Sequence, residues 1–208
     1  MNFHSNNMGK LRFYYGTMSA GKSLQVLALA YNLQTENIPF LILKSEIDTR
    51  DGSHTIQSRA IPEGRQCLSV SSEDNIVEIV KSNSDVSTLK YILVDEVQFL
   101  TVEQVEQFAY LADTYDVIIY CYGLKTDFKT KLFPASQRLF EIADEFEPID
   151  SYCEYEGITY KTMFNARLNG EGKIVVNGKQ IEVGGDDRYK AVSRKEYFEK
   201  TENNLYKR

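Results

Sequence analysis

Eight residues, Gly16, Thr17, Met18, Ser19, Ala20, Gly21, Lys22 and Ser23, read G-x-x-x-x-G-K-S, and they constrain the fold more than any other stretch of the chain. An apolar run over 11–15 precedes them, and 23–37 carries Leu24, Leu27, Ala28 and Tyr31 at helical spacing. The unit is therefore strand, loop, helix. Gly16 and Gly21 let the backbone curl so that successive N–H groups face phosphate oxygens, Lys22 adds a cation, and Ser23 can place its hydroxyl on Mg²⁺. A glycine turn with no ligand is the bland alternative, and the flanking strand and helix argue against it.

A single strand–loop–helix unit cannot bury its own apolar face, so the rest of the chain must supply a sheet. Residues 39–43 (PFLIL), 91–94 (YILV) and 116–121 are compact apolar runs of buried-strand type. Between the last two, Val102, Val105, Phe108, Ala109 and Leu111 share a helical face. This alternation predicts an α/β fold: a P-loop, RecA-like, mostly parallel sheet with helices on both faces and ligands at the carboxyl ends of the strands. Three segments should meet there: the glycine loop, 44–54, read as a polar surface loop, and 95–100. After Pro148 the chain turns Tyr- and Thr-rich, and Asn177-Gly178 between two β-rich runs signals a hairpin. The expected organisation is a disordered arm at 1–10, a nucleotide-binding domain at 11–148, a small β-rich C-terminal subdomain at 149–200, and a polar tail at 201–208.

With 208 residues, 42% of them hydrophobic, the chain can bury a proper core. Its formal net charge of −6 repels nucleic-acid polymers. The sequence has no apolar run of membrane-spanning length and no signal-peptide core at its N-terminus, so a cytoplasmic protein is expected. Cys67, Cys121 and Cys153 are odd in number and widely spaced, which fits a reducing compartment. His4 and His54 are read as solvated and without function.

The second chemical signal is YILVDEVQF. Asp95, at the end of a buried strand, is placed as the carboxylate on the Mg²⁺ side, shared with Ser23. Adjacent carboxylates diverge in direction, so Glu96 can accept a proton from an attacking hydroxyl or water. Merely solvated strand-end acids are the alternative. These two motifs alone fit an ATPase motor, a nucleoside kinase or a nucleotide-gated regulator.

Five ordered stretches narrow the choice: YGTMSAGKS, the D-x-R of EIDTRDG, VDEVQFL, YGLKTDFKTKLFPAS and EVGGDDRYKAV-x-RK-x-Y. In these the chain resembles the thymidine kinases of the cellular type, from about residue 11 to 198. The resemblance implies transfer of the ATP γ-phosphoryl to the 5′-hydroxyl of thymidine, and of deoxyuridine, in pyrimidine nucleoside salvage, with Glu96 as general base and Lys22 assisting. It implies nucleotide contacts at the glycine loop, at Asp48, Thr49 and Arg50, and at Asp95, Glu96, Val97 and Gln98. On the acceptor side it implies Met18, Leu124, Phe128 and Phe133 around the base, with Phe128 as a stacking surface. A closing loop of Gln180, Ile181, Glu182, Val183 and Gly184, with Tyr189, is expected to cover thymidine. A homotetramer and feedback inhibition by thymidine triphosphate also follow from the resemblance. A non-enzymatic relative and a P-loop ATPase of another class are the competing readings, disfavoured by the intact catalytic positions and by the matching acceptor loop.

The chain departs from that family where a structural zinc is usual. The four matching positions are Cys153, Glu156, Ser193 and Glu196, a poor donor set for a closed tetrahedral site, so no zinc is expected. Lys161, Arg194 and Lys195 are the cations expected to offset the two glutamates. Asn165 also stands where many members carry a hydroxyl residue.

Overall fold

A computed structural model describes residues 9–49, 52, 54–180 and 188–201. The elements are β1 (Lys10–Tyr15), α1 (Lys22–Thr35), β2 (Phe40–Ser45), β3 (Thr55–Ser58), β4 (Ile61–Gln66), β5 (Leu68–Val70), α2 (Ile76–Asn83) and β6 (Tyr91–Asp95). A 3₁₀ turn (Val97–Phe99) leads to α3 (Val102–Tyr115), β7 (Ile118–Gly123), α4 (Pro134–Ile142) and β8 (Glu145–Pro148). The chain then forms β9 (Tyr152–Tyr155), β10 (Ile158–Lys161), β11 (Phe164–Leu168), β12 (Ile174–Val175), β13 (Tyr189–Val192) and α5 (Arg194–Lys200).

Six strands in the order β5-β2-β6-β7-β1-β8 make one sheet. Every pairing in it is parallel, as the uninterrupted apolar strands imply. The pleat sends alternate residues of β1 to opposite faces: Leu11 and Phe13 pack with residues of α2, α3 and α4, whereas Tyr14 packs with Val26, Leu27 and Ala30 of α1. Both faces are thus covered, and the strand ends carrying the phosphate loop, Asp95 and Gly123 lie side by side because β6, β7 and β1 are neighbours.

Local chemistry sets the helix ends. Thr101 and Gln104 form a reciprocal capping box at the start of α3, and the Gln104 amide also donates to the carbonyls of Ser71 and Asp74. At the head of α1, Gly21 has φ 88, no side chain caps the helix and no acid stands in its first turn. That leaves backbone N–H groups and the positive end of the helix dipole for a ligand.

The segment 44–54 differs from its reading as a surface loop. Lys44 and Ser45 belong to β2, and Lys44, Ser45 and Asp48 are all buried. The pair Lys44–Asp48, 3.1 Å apart, makes this burial tolerable. The strand read at 116–121 runs over Ile118–Gly123, since Asp116 takes a left-handed turn at the end of α3. β12 pairs backward with β11 across the Asn169–Lys173 turn. The second run of the hairpin expected at Asn177-Gly178 lies outside the described residues, as do most of the N-terminal arm and of the tail. Beyond Pro148, β9 pairs β10, and β12, β11 and β13 form a second small antiparallel sheet against which α5 packs. Among the described residues no helix is long and apolar enough to cross a membrane.

Candidate active site

The phosphate loop connects β1 to α1 and turns through left-handed Ser19 and Gly21. Lys22 is buried, and its Nζ donates to the Thr17 carbonyl at 2.8 Å. Ser23 Oγ donates to Asp95 Oδ2 at 2.8 Å, so the hydroxyl and carboxylate expected to hold Mg²⁺ stand together at the start of α1 and the end of β6. A hydroxyl and a carboxylate oxygen are donors suited to a hard cation, so the pair fits that ion. Burial, reinforced by the charge of Glu96, pushes the Asp95 carboxyl up to about 7, while Ser23, Lys22 and the Glu96 N–H pull the other way. An acid in that condition favours a nearby cation.

Glu96 has φ 53, a left-handed conformation that glutamate rarely adopts. Gln98 Nε2 donates to Glu96 Oε2, and Gln98 Oε1 accepts the Leu124 N–H at 2.9 Å. Val97 is a core residue with no exposed side chain. Asp48 is engaged by Lys44, whose register partner across β2 and β6 is Asp95. Thr49 is exposed, and Arg50 lies outside the described residues.

On the acceptor side, residues 124–133 form a tight polar loop. Asp127 Oδ1 accepts the N–H groups of Lys129 and Lys131 at 2.8 and 2.9 Å. Phe133 precedes Pro134 at the start of α4 and meets Phe99 edge-on. Phe128 is buried rather than presented from the loop: the Arg167 guanidinium lies 3.6 Å from its ring centroid, and Tyr197 donates a hydrogen bond to its carbonyl at 2.6 Å. Arg167 also donates to Tyr189 Oη at 2.8 and 3.0 Å and to the Lys179 carbonyl at 3.0 Å, bringing Phe128, Tyr189 and the segment leading to Gln180 into one cluster. Ile181, Glu182, Val183 and Gly184 lie outside the described residues.

Two contacts join the phosphate loop to the strands beyond Pro148. The hydroxyls of Thr17, Ser151 and Thr162 hydrogen-bond mutually, and the Met18 N–H donates to Asn165 Oδ1 at 2.7 Å. A cavity of about 140 Å³ opens beside this junction, lined by Gly16, Thr17, Lys125, Lys161 and Asn165 among others. Burial, with Lys161 close by, lowers the pKa of the Lys125 ammonium. Lys44, Arg167 and this hydroxyl triad were not assigned roles from sequence. Lys44 had one local signal, its place at the end of an apolar strand, whereas the other contacts link residues far apart in the chain.

Three of the four zinc-equivalent side chains, those of Glu156, Ser193 and Glu196, have other partners, and Cys153 is a free thiol. Ser193 caps α5 by accepting the Glu196 N–H at 3.0 Å. Glu196, 1% exposed, accepts Lys190 and Lys200 at 2.8 and 2.9 Å through Oε1. Lys195 pairs with Glu156, but Lys161 pairs with Asp150, so the cations around Glu196 differ from those expected. Cys153 pairs across the β9–β10 hairpin with Tyr160. Among the described residues no three His, Cys, Asp or Glu side chains cluster as metal ligands.

Comparison with known proteins agrees with this geometry. A family model described as thymidine kinase matches residues 9–197. The thymidine kinase of Mannheimia succiniciproducens is 40% identical over 93% of this chain and 97% of its own length. That of Shewanella oneidensis is 37% identical over 92% and 98%, and that of Streptococcus gordonii 36% identical over 95% and 100%.

Proposed function

The chain belongs to the thymidine kinase family, and from that premise we propose how its residues divide the transfer of the ATP γ-phosphoryl to the thymidine 5′-hydroxyl. The observation that carries the reading is the meeting of three strand ends: Lys22 and Ser23 after β1, Asp95 and Glu96 after β6, and Leu124 after β7. ATP phosphates lie on the N-terminus of α1, with Lys22 leaving the Thr17 carbonyl to reach them. Ser23 and Asp95 would hold Mg²⁺, which when bound would supply neutralisation of phosphate charge. Glu96 takes the proton from the 5′-hydroxyl as that oxygen bonds to the γ-phosphorus, and the bond to the β-phosphate bridging oxygen breaks, releasing ADP. Such a reaction asks of the protein mainly alignment and charge neutralisation.

The acceptor is placed between Met18, Leu124, Phe133 and the Phe128–Arg167–Tyr189 cluster, with 180–184 and Tyr189 closing over it. For Phe128 to stack on a pyrimidine, the Arg167 guanidinium must shift or the base must use the opposite ring face. Asp48, Thr49 and Arg50 remain candidates for the nucleotide side, with Lys44 fixing Asp48. In this scheme 11–148 is the donor body and 149–200 the acceptor cover. Deoxyuridine as a second acceptor, a zinc-free homotetramer, inhibition by thymidine triphosphate and a cytoplasmic site of action complete the proposal.

The test is thymidine phosphorylation by the purified protein beside Glu96→Gln. Activity should fall by about 10²–10⁴-fold in the variant, the usual range for a general base. A parent with no activity on thymidine would overturn the substrate, and an undiminished variant would overturn the role of Glu96.

A further inference from the structure

Gln98 was placed by sequence among the nucleotide contacts, yet its side chain is buried and both ends of its amide are engaged by protein. The Leu124 N–H can only donate, and the Gln98 amide nitrogen donates to Glu96 Oε2. Only one orientation of the amide satisfies both, with Oε1 toward Leu124 and Nε2 toward Glu96. Among the twenty side chains, few others of this length can donate at one end and accept at the other. Glutamate would keep the acceptor and lose the donor, and methionine would lose both.

The neighbouring backbone is fitted to this amide. A Cβ on Gly123 would lie 2.6 Å from Gln98 Oε1 and 2.7 Å from Val97 Cγ1, so a side chain there would push Gln98 out of place. The Gly123 carbonyl in turn accepts the Gly16 N–H at 3.2 Å. A continuous set of contacts therefore runs from the start of the phosphate loop through Gly123 and Leu124 to Gln98 and ends on Glu96.

We infer that Gln98 is a positioning residue that fixes the Glu96 carboxylate relative to the acceptor loop at Leu124. The inference rests on the proposed kinase reading and adds to it a link between the acceptor wall and the base. The left-handed backbone at Glu96 sets where the side chain leaves the chain, and the hydrogen bond from Gln98 restrains its rotation. Misplacing a reacting group by about 1 Å can cost roughly 10²-fold in rate.

The experiment is steady-state kinetics on the full chain with ATP, Mg²⁺ and thymidine, comparing the parent, Gln98→Met, Gln98→Glu, Glu96→Gln and the double variant Glu96→Gln with Gln98→Met. Gln98→Met should lower kcat by about 10²-fold while the KM for ATP stays within about twofold, because the side chain acts on the base and not on the nucleotide. In the Glu96→Gln background the same change should cost less than about fivefold, since the group it positions no longer functions. Gln98→Glu, close in shape to the parent, should show the same split if Gln98→Met fails to fold.

A rise in the ATP KM with kcat intact would restore the nucleotide contact and overturn the inference. So would a full multiplicative loss in the double variant, or unchanged kinetics in both single variants. A parent that does not phosphorylate thymidine would instead overturn the functional reading on which this one stands.

Discussion

Replacing Asp95 with Asn should make the ligand-free protein more stable while it removes activity. In the absence of a cation the Asp95 carboxyl is buried beside Glu96, and burial first, then that neighbour, pushes it up to about 7. An unfolded aspartate titrates near its ordinary value of about 3.9. Because the folded value is the higher one, the stability contributed by the protonated acid is fully present below about 3.9 and is lost as pH rises toward 7. The difference of about three pH units corresponds to at most roughly 4 kcal/mol above pH 7. The shift belongs partly to the Asp95–Glu96 pair, so the share that Asn relieves is set at about 1–2 kcal/mol. Asn can keep both local bonds: Oδ1 accepts the Glu96 N–H, and Nδ2 donates to Ser23 Oγ.

For a chain of this size about 1–2 kcal/mol raises Tm by roughly 2–8 °C. The assay is thermal unfolding in EDTA from pH 8 to 6, with the circular dichroism of parent and variant recorded side by side. The gap should be widest at pH 8 and shrink as pH falls through 7, because the parent acid then becomes neutral by itself. Adding Mg²⁺ and ATP should raise the parent's Tm more than the variant's. A variant that melts at or below the parent at pH 8, or a gap that widens on acidification, would refute the reasoning.

Two further outcomes follow from the same geometry. Gly123→Ala forces Gln98 and Val97 apart; we expect about 1–3 kcal/mol lost in urea unfolding and kcat lowered about tenfold or more in the folded variant. Unchanged kcat would show that the Gln98 amide tolerates displacement. Burial opposes the charge on Glu196, yet hydrogen bonds from Lys190 and Lys200 hold its carboxyl below the ordinary value. Its contribution is thus present above the ordinary carboxylate range and is lost as pH falls through the lower folded value. Both lysines are half-exposed, so solvent screening limits the loss in Glu196→Gln to about 1 kcal/mol, read as a lower Tm at pH 7 that converges with the parent in acid. The same melts with and without EDTA, beside elemental analysis, check the proposed absence of zinc; a chelator-induced drop with stoichiometric zinc would refute it.

The parts legible in sequence are those set by near neighbours in the chain. The phosphate loop, the Asp95–Glu96 pair and the buried parallel strands each depend on a few consecutive residues. Elements without such a pattern were missed. β8 is an edge strand with most of its residues exposed, α4 begins at Phe133-Pro134 with no side-chain cap, and β3 and β4 mix polar and apolar residues on a sheet of their own. Lys44 was misread because a lysine after an apolar run normally marks the return to water, and the compensating Asp48 becomes its partner only through the turn. The guanidinium that lies on Phe128 is that of Arg167, from a strand beyond Pro148. Spacing along the chain carries no information about such a contact.

The phosphate loop illustrates how a local motif acquires a second task from distant residues. Three of its backbone donors are engaged: Gly16 N–H on Gly123, Met18 N–H on Asn165 and, more weakly, Ala20 N–H on Thr17. At the start of α1 the N–H groups of the first turn lack intrahelical acceptors, as at any helix head, and no capping side chain competes for them. In the proposed scheme, phosphate binding uses the N–H groups at the head of α1. The half from Gly16 to Met18 is held by the acceptor turn at Gly123 and by β11, with Thr17 tied to Ser151 and Thr162. When ATP draws Lys22 off the Thr17 carbonyl, the residue that loses this contact is the one whose hydroxyl is anchored beyond Pro148. In the proposed scheme, donor binding and the placement of the acceptor cover therefore share Thr17, whose hydroxyl bonds Ser151 and Thr162 and whose carbonyl accepts Lys22.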